Sequence, residues 1–336
     1  MVFYPNSLDR AETIIITAKK VLDDAILHNA LSMNELPPFT MSTLRDKRTA
    51  ENKEYWSNMM QSQLVAVYSS LQHTVGILTR ESLSGVSRDG PIEWAPSESI
   101  VRYERQTIES YEEQKVAIAL CEKQINKYRN SGRGGQSTCL KNTVVYGTPG
   151  AGKSFVGGLV VLYALSQGLN VVSTALMALR AIALGGTHLH AFFKLPTSDG
   201  AAMSPYKAAE IALEKIRRKT DLFHALLTID IIFLDEASQV SSDFLATIDI
   251  ILRRGRCSQI PFAGVMIIGT MDHRQLQPIN LLPFLTLSLM LTCFVMVELK
   301  HSVRAHGHPR FKRLQDITRM DPYELRESQE LRDEIF

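Results

Sequence analysis

The residues Gly147-Thr148-Pro149-Gly150-Ala151-Gly152-Lys153-Ser154 satisfy the pattern G-x-x-x-x-G-K-[ST] at every fixed position. Glycines let the backbone wrap closely round phosphate, so that successive N–H groups and the start of the next helix face negative charge. A lysine at the sixth step reaches the β- and γ-phosphates, and the hydroxyl after it is placed to coordinate Mg²⁺. A second constellation follows. Asp235-Glu236 closes the apolar run IIFLDEAS, at the strand terminus where a magnesium-binding carboxylate is needed. Asp235 is expected to hold the metal through water and Glu236 to polarise the attacking water. An acidic pair after a strand is usually just solvated; coupling to the phosphate loop gives this one its meaning.

Elements must bring the two constellations together. NTVVY (142–146) leads into the loop, and KSFVGGLVVLYALSQG (153–168) leads out of it with helical spacing. NVVST (170–174), TIDIIFLDE (228–236) and GVMIIG (264–269) are further short, nearly unbroken apolar strands separated by helical stretches. That alternation predicts an α/β domain with a parallel sheet covered by helices on both faces, whose function sits at the C-terminal strand ends. Ser204-Pro205 opens one of the helices. Upstream, apolar three-and-four spacing from Ile14 and again over about 50–80 predicts a helical N-terminal region. A Gly, Ser and Pro cluster at 82–99 marks a candidate boundary.

The motifs taken together resemble a known family. GTPGAGKS, ALRAIALGGTHLHAFFKLP (178–196), FLDEAS, GTMDHRQLQPI (269–279) and ELKHSVRA (298–305) are similar in order and spacing to motifs I, Ia/Ib, II, III and IV of superfamily 1 helicases of the petite-integration-frequency (PIF) type, relatives of RecD. The resemblance covers about residues 105–320. It implies a RecA-like P-loop NTPase domain that uses ATP and Mg²⁺ to move 5′ to 3′ on single-stranded DNA, with roles in repair, recombination or telomere maintenance. It also implies roles position by position. Gln114 looks like the adenine-reading glutamine, Gln275 like the γ-phosphate sensor of motif III, and Arg304 like a motif IV arginine that neutralises γ-phosphate charge. Thr187, His188, His190 and Phe192 fall in a strand-contacting box, where Phe192 or Phe193 stacks on bases or joins the core. The pattern is departed from in two places. Thr270 and Met271 stand between Gly269 and Asp272, and Gln277 replaces the first residue of a Pro pair whose second is Pro278.

Composition bounds these expectations. The chain has 336 residues, 45% hydrophobic and 21% charged, with a net charge of +2, so wholesale disorder is excluded and no global basic excess announces nucleic acid. A local patch from Lys300 to Arg319 suits phosphate contact or a solvated helix face equally. Four dispersed cysteines fit neither a disulfide framework nor a zinc site. No secretory signal opens the chain, so a nuclear or otherwise intracellular location is expected. The uncharged stretch Leu281 to Val297 is read as a buried turn, short helix and strand rather than a membrane span. No stable protein partner is evident.

The expected organisation is a helical region of unknown role (1–100), a RecA-like ATP-binding domain (101–298) and the start of a second, truncated helicase lobe (299–336). A catalytically deficient remnant that binds nucleotide or DNA without unwinding is the alternative. A GTPase is disfavoured by the lack of an N-K-x-D guanine box, and an AAA-type ATPase leaves GGTHLHAFF unexplained.

Overall fold

The computed structural model describes residues 54–71, 97–131, 142–196, 203–272, 274, 275, 278, 281–300 and 302, with the backbone alone described over 97–112. The helix expected from Ile14 and Arg304 both lie outside the described residues, as does the boundary cluster up to residue 96.

The chain enters as helix α1 (54–71), followed by a long helix α2 (Ser97–Asn130). Strand β1 (Asn142–Gly147) delivers the phosphate loop, and α3 (Lys153–Ser166) carries it away. Then come β2 (Val171–Ala175), α4 (Ala178–Ala183), the two-residue strand β3 (Thr187–His188) and α5 (Leu189–Phe193). Helices α6 (Pro205–Arg217) and α7 (Thr220–Thr228) precede β4 (Ile231–Asp235), α8 (Ser242–Gly255) and β5 (Met266–Met271). Short helix α9 (Ser288–Cys293) and β6 (Phe294–Leu299) complete the fold. The uncharged 281–297 stretch divides into a turn, a short helix and a strand as expected, but it is not buried throughout: Leu282 and Leu291 are 65% and 86% exposed. No described helix is long and apolar enough to cross a membrane.

The six strands form one sheet in the order β3-β2-β4-β5-β1-β6, and every neighbouring pair is parallel. Period-two alternation assigns the side chains to two cores. Val144, Val172, Ile232, Leu234 and Ile267 face the layer that includes α6, α7 and α8. Val145, Val171, Ile231, Phe233, Met266 and Ile268 face the layer built by α1, α2 and α3. This two-sided burial is why the strands read as continuous apolar runs. Helix α3 lies so close to the sheet that a Cβ on Gly157 would stand 2.4 Å from the Phe233 ring. Both N-cap serines are used: Ser204 accepts from the Lys207 amide and Ser241 from that of Phe244, at 3.4 and 3.1 Å.

Helix α1 is part of this body. Met60, Leu64, Val67 and Leu71 join the core beneath α3. The fully buried Gln63 amide donates to the Val171 carbonyl at 2.8 Å and accepts from the Ser173 hydroxyl at 2.6 Å. At the helix start, the Trp56 indole donates to Thr228. The described portion of the N-terminal region thus shares its core with the sheet domain, and α2 runs unbroken across residues 100 and 101.

Candidate active site

Parallel pairing brings the C-terminal ends of all strands to one edge, and the sheet order decides which ends are neighbours. Strand β5 lies between β1 and β4, so its final residues separate the phosphate loop from Asp235. The loop turns through left-handed backbone at Gly150 (φ 76°) and Gly152 (φ 84°), a region closed to most side chains. At Gly152 the space is closed as well, since a Cβ would stand 2.5 Å from the Gln114 amide nitrogen. That amide, buried on α2, donates to the Ala151 carbonyl at 2.8 Å. Gln114 is therefore a brace of the phosphate loop rather than an exposed helix residue. The far side of the loop is tied to the segment after β6. The Ser302 hydroxyl donates to the Pro149 carbonyl at 2.9 Å, and the Thr148 amide donates to the Leu299 carbonyl at 3.4 Å.

The Lys153 ammonium donates to the Gly147 and Thr148 carbonyls at 2.9 and 2.8 Å, inside the curl of its own loop. It also stands 3.9 Å from the buried carboxylate of Asp272. Asp235, 3% exposed at the end of β4, uses both carboxylate oxygens. Oδ1 accepts from the Thr270 hydroxyl at 2.6 Å, and Oδ2 pairs with Arg180 Nη2 at 2.9 Å. Glu236 follows in the left-handed region (φ 51°), unusual backbone for a non-glycine residue, which turns the chain abruptly off the strand. Its carboxylate is held by the Gln239 amide at 3.0 Å and lies 3.2 Å from Arg180 Nε. Arg180 Nη2 also donates to the Ser154 hydroxyl at 2.7 Å. One guanidinium thus bridges Ser154, Asp235 and Glu236.

Residues from five separate stretches of sequence converge here: the loop, Gln114, Arg180, the Asp235-Glu236 pair and the Thr270–Asp272 strand end. Three of these contributors carry no recognisable role in the sequence. Arg180 lies within the 178–196 segment, but nothing in that segment names its partner. Thr270 and Asp272 belong to the GTMD stretch, where the family likeness points to Gln275 instead. A positive residue shortly after one strand, facing an acidic pair at the end of another, is the signal that finds Arg180, provided β2 and β4 are known to be neighbours. Gln275 is exposed beyond the strand end, its backbone N–H donating to the Asp272 carbonyl at 3.1 Å.

The residues expected to touch nucleic acid divide. Thr187 and His188 form the edge strand, partly exposed, and the half-buried His190 ring meets Phe244 edge-on at 4.7 Å. Burial, then the neighbouring His188, push the His190 pKa down, while a backbone hydrogen bond with Leu195 opposes them. Phe192 is 3% exposed and packs edge-to-face on the fully buried Phe193. The base-stacking alternative is corrected for both rings: they are core, because α5 turns its apolar side into the sheet layer.

The Ser154 hydroxyl and Asp235 carboxylate are hard oxygen donors converging on one cationic atom, which is the chemistry a Mg²⁺ ion requires. Among the described residues no cluster of three or more His, Cys, Asp or Glu could hold a metal unaided.

Residues 121–286 match the family model described as PIF1-like helicase. This segment, just under half of the chain, is similar to the PIF1-like helicase family. Among curated proteins it is similar to the ATP-dependent DNA helicase RRM3 of Saccharomyces cerevisiae, 28% identical over 140 residues, 41% of this chain and 18% of that protein. The ATP-dependent DNA helicase PIF1 of the same species is 30% identical over 141 residues, 41% of this chain and 16% of that protein. The matched region is thus under a fifth of the length of either relative. Among solved structures, Pif1 helicase from Candida albicans superposes with a TM-score of 0.48 at 23% identity, over 61% of this chain and 43% of that one. The PIF1-like segment contains the phosphate loop, Arg180, Asp235, Glu236, Thr270, Asp272 and Gln275, whereas Gln114 precedes it.

Proposed function

We propose that the chain is the nucleotide-binding motor lobe of an ATP-dependent DNA helicase. The observation that carries this reading is the convergence of Ser154 Oγ and Asp235 Oδ2 beside the phosphate loop, with Glu236 at the same strand end. The kinship with ATP-dependent DNA helicases supplies the choice of ATP and of DNA.

In this reading the loop amides receive the phosphates, and Lys153 turns from the Gly147 and Thr148 carbonyls towards the β- and γ-phosphate oxygens. Ser154 would hold Mg²⁺ directly and Asp235 through water, and the ion would supply charge neutralisation at those oxygens. Glu236 takes a proton from the attacking water as its oxygen bonds to the γ-phosphorus and the bond to the β–γ bridging oxygen breaks. Gln114, which braces the loop backbone at Ala151, reads adenine in this scheme, a role that follows from the family likeness. Gln275 senses the γ-phosphate, with Arg304 supplying charge from beyond the described residues. Thr187, His188 and His190 form the candidate face for single-stranded DNA. Translocation from 5′ to 3′ and a role in repair, recombination or telomere maintenance follow from the family likeness.

The test is ATP hydrolysis by the purified chain with and without a single-stranded oligonucleotide. Stimulation by DNA supports the motor reading. Binding of nucleotide or of DNA with no stimulated turnover identifies the non-unwinding alternative, and binding of neither contradicts both.

A further inference from the structure

Arg180 has no part in the chemistry just described, yet it touches both acidic residues of the strand end and the Ser154 hydroxyl. Its Nη2 lies 2.7 Å from Ser154 Oγ and 2.9 Å from Asp235 Oδ2, the two atoms assigned to the metal. Its Nε lies 3.2 Å from Glu236 Oε1, the group assigned to water activation. A guanidinium nitrogen and a divalent ion cannot share that position, because Mg²⁺ demands oxygen ligands at about 2.1 Å in near-octahedral array. With 37% of its side chain exposed, Arg180 has open solvent to swing into.

We infer that Arg180 is the resident counter-cation of the metal position, which a divalent ion arriving with nucleotide must displace. This deepens the nucleotide reading and rests on it. The guanidinium balances the charge of Asp235 and Glu236 while the loop is empty, keeping Ser154 and both carboxylates in place without metal. Its departure frees Ser154 Oγ, Asp235 Oδ2 and Glu236 Oε1 together, so metal entry and release of the water-activating carboxylate are one event. Arg180 is accordingly a positioning residue that sets the metal requirement of the site.

The consequence is a pair of opposite shifts. Removing Arg180 abolishes the competition, so magnesium–nucleotide binds more tightly. It also leaves two uncompensated carboxylates beside the phosphates, so metal-free nucleotide binds more weakly. The experiment is equilibrium binding of a fluorescent ADP analogue to the full chain and to Arg180→Ala, once with excess Mg²⁺ and once with EDTA. For removal of a charge-assisted hydrogen bond at a partly exposed site, each shift should be about three- to tenfold, in opposite directions. Weaker binding in both conditions would mean that Arg180 is a phosphate ligand and would overturn the inference, as would unchanged binding in both. Failure of the parent chain to bind in either condition would overturn the nucleotide reading itself, and this inference with it. Arg180→Met, which keeps the apolar stem, gives the same readout should the alanine variant fold poorly, as judged by its thermal melt.

Discussion

At the scale of single residues, the site divides into groups whose roles follow from local pattern and groups whose roles follow from their neighbours in space. Gly147 to Ser154 and Asp235-Glu236 are legible in the sequence because their chemistry demands particular residue types at fixed spacing beside a strand. Thr270, Asp272 and Arg180 are not, because each acquires its partner only through the order of strands in the sheet. The two Phe rings show the opposite failure: a sequence likeness to a strand-contacting box says nothing about which way a short helix turns. His190 makes this segment responsive to pH. Its pKa is lowered in the folded protein, so the unfolded chain takes up a proton first as pH falls. The stability contributed by neutral His190 is complete above its ordinary value of 6.5 and is lost as pH drops through that value towards the depressed one. Melting temperature should therefore fall between about pH 7.5 and 5.5 more steeply for the parent chain than for His190→Gln. Equal slopes would show that the ring is not desolvated as described.

At the scale of elements, alternation of faces along β1, β2, β4 and β5 explains why these strands are found from apolar runs alone. Strand β3 is only two residues long and partly exposed, so it leaves no such signature. Strand β6 begins in an uncharged stretch that a membrane span could also produce, and it is read there because Pro283, Thr286, Ser288 and Thr292 interrupt that stretch. Helix boundaries follow the cap chemistry. The amphipathic α8 starts where Ser241 accepts from the Phe244 amide, and its inner face fills the layer under Ile232 and Ile267. Replacing Ser241 by alanine should cost about 1 kcal/mol of stability, read as a lowered melting temperature with nucleotide affinity unchanged. A loss of affinity at unchanged stability would mean that the cap acts on the site rather than on the helix.

At the scale of the molecule, β5 between β1 and β4 makes one surface out of loops far apart in sequence, and three outer elements stiffen it. Helix α2 supplies Gln114, the segment after β6 supplies Ser302, and α1 keys Gln63 into β2. Sequence periodicity marks α1 as helix but not as part of the sheet domain's core, because a stripe at helical spacing does not say what it packs against. The loop is consequently a braced cradle rather than a flexible turn, and its grip on phosphate should depend on the one ammonium inside its curl. Calorimetric titration of a non-hydrolysable ATP analogue with Mg²⁺ into the parent chain and Lys153→Ala tests this most directly. Loss of a charged hydrogen-bond donor to phosphate should weaken affinity by about ten- to hundredfold while the fold, followed by circular dichroism, is retained. Equal affinity in the two proteins would contradict the assignment of this loop as the triphosphate site.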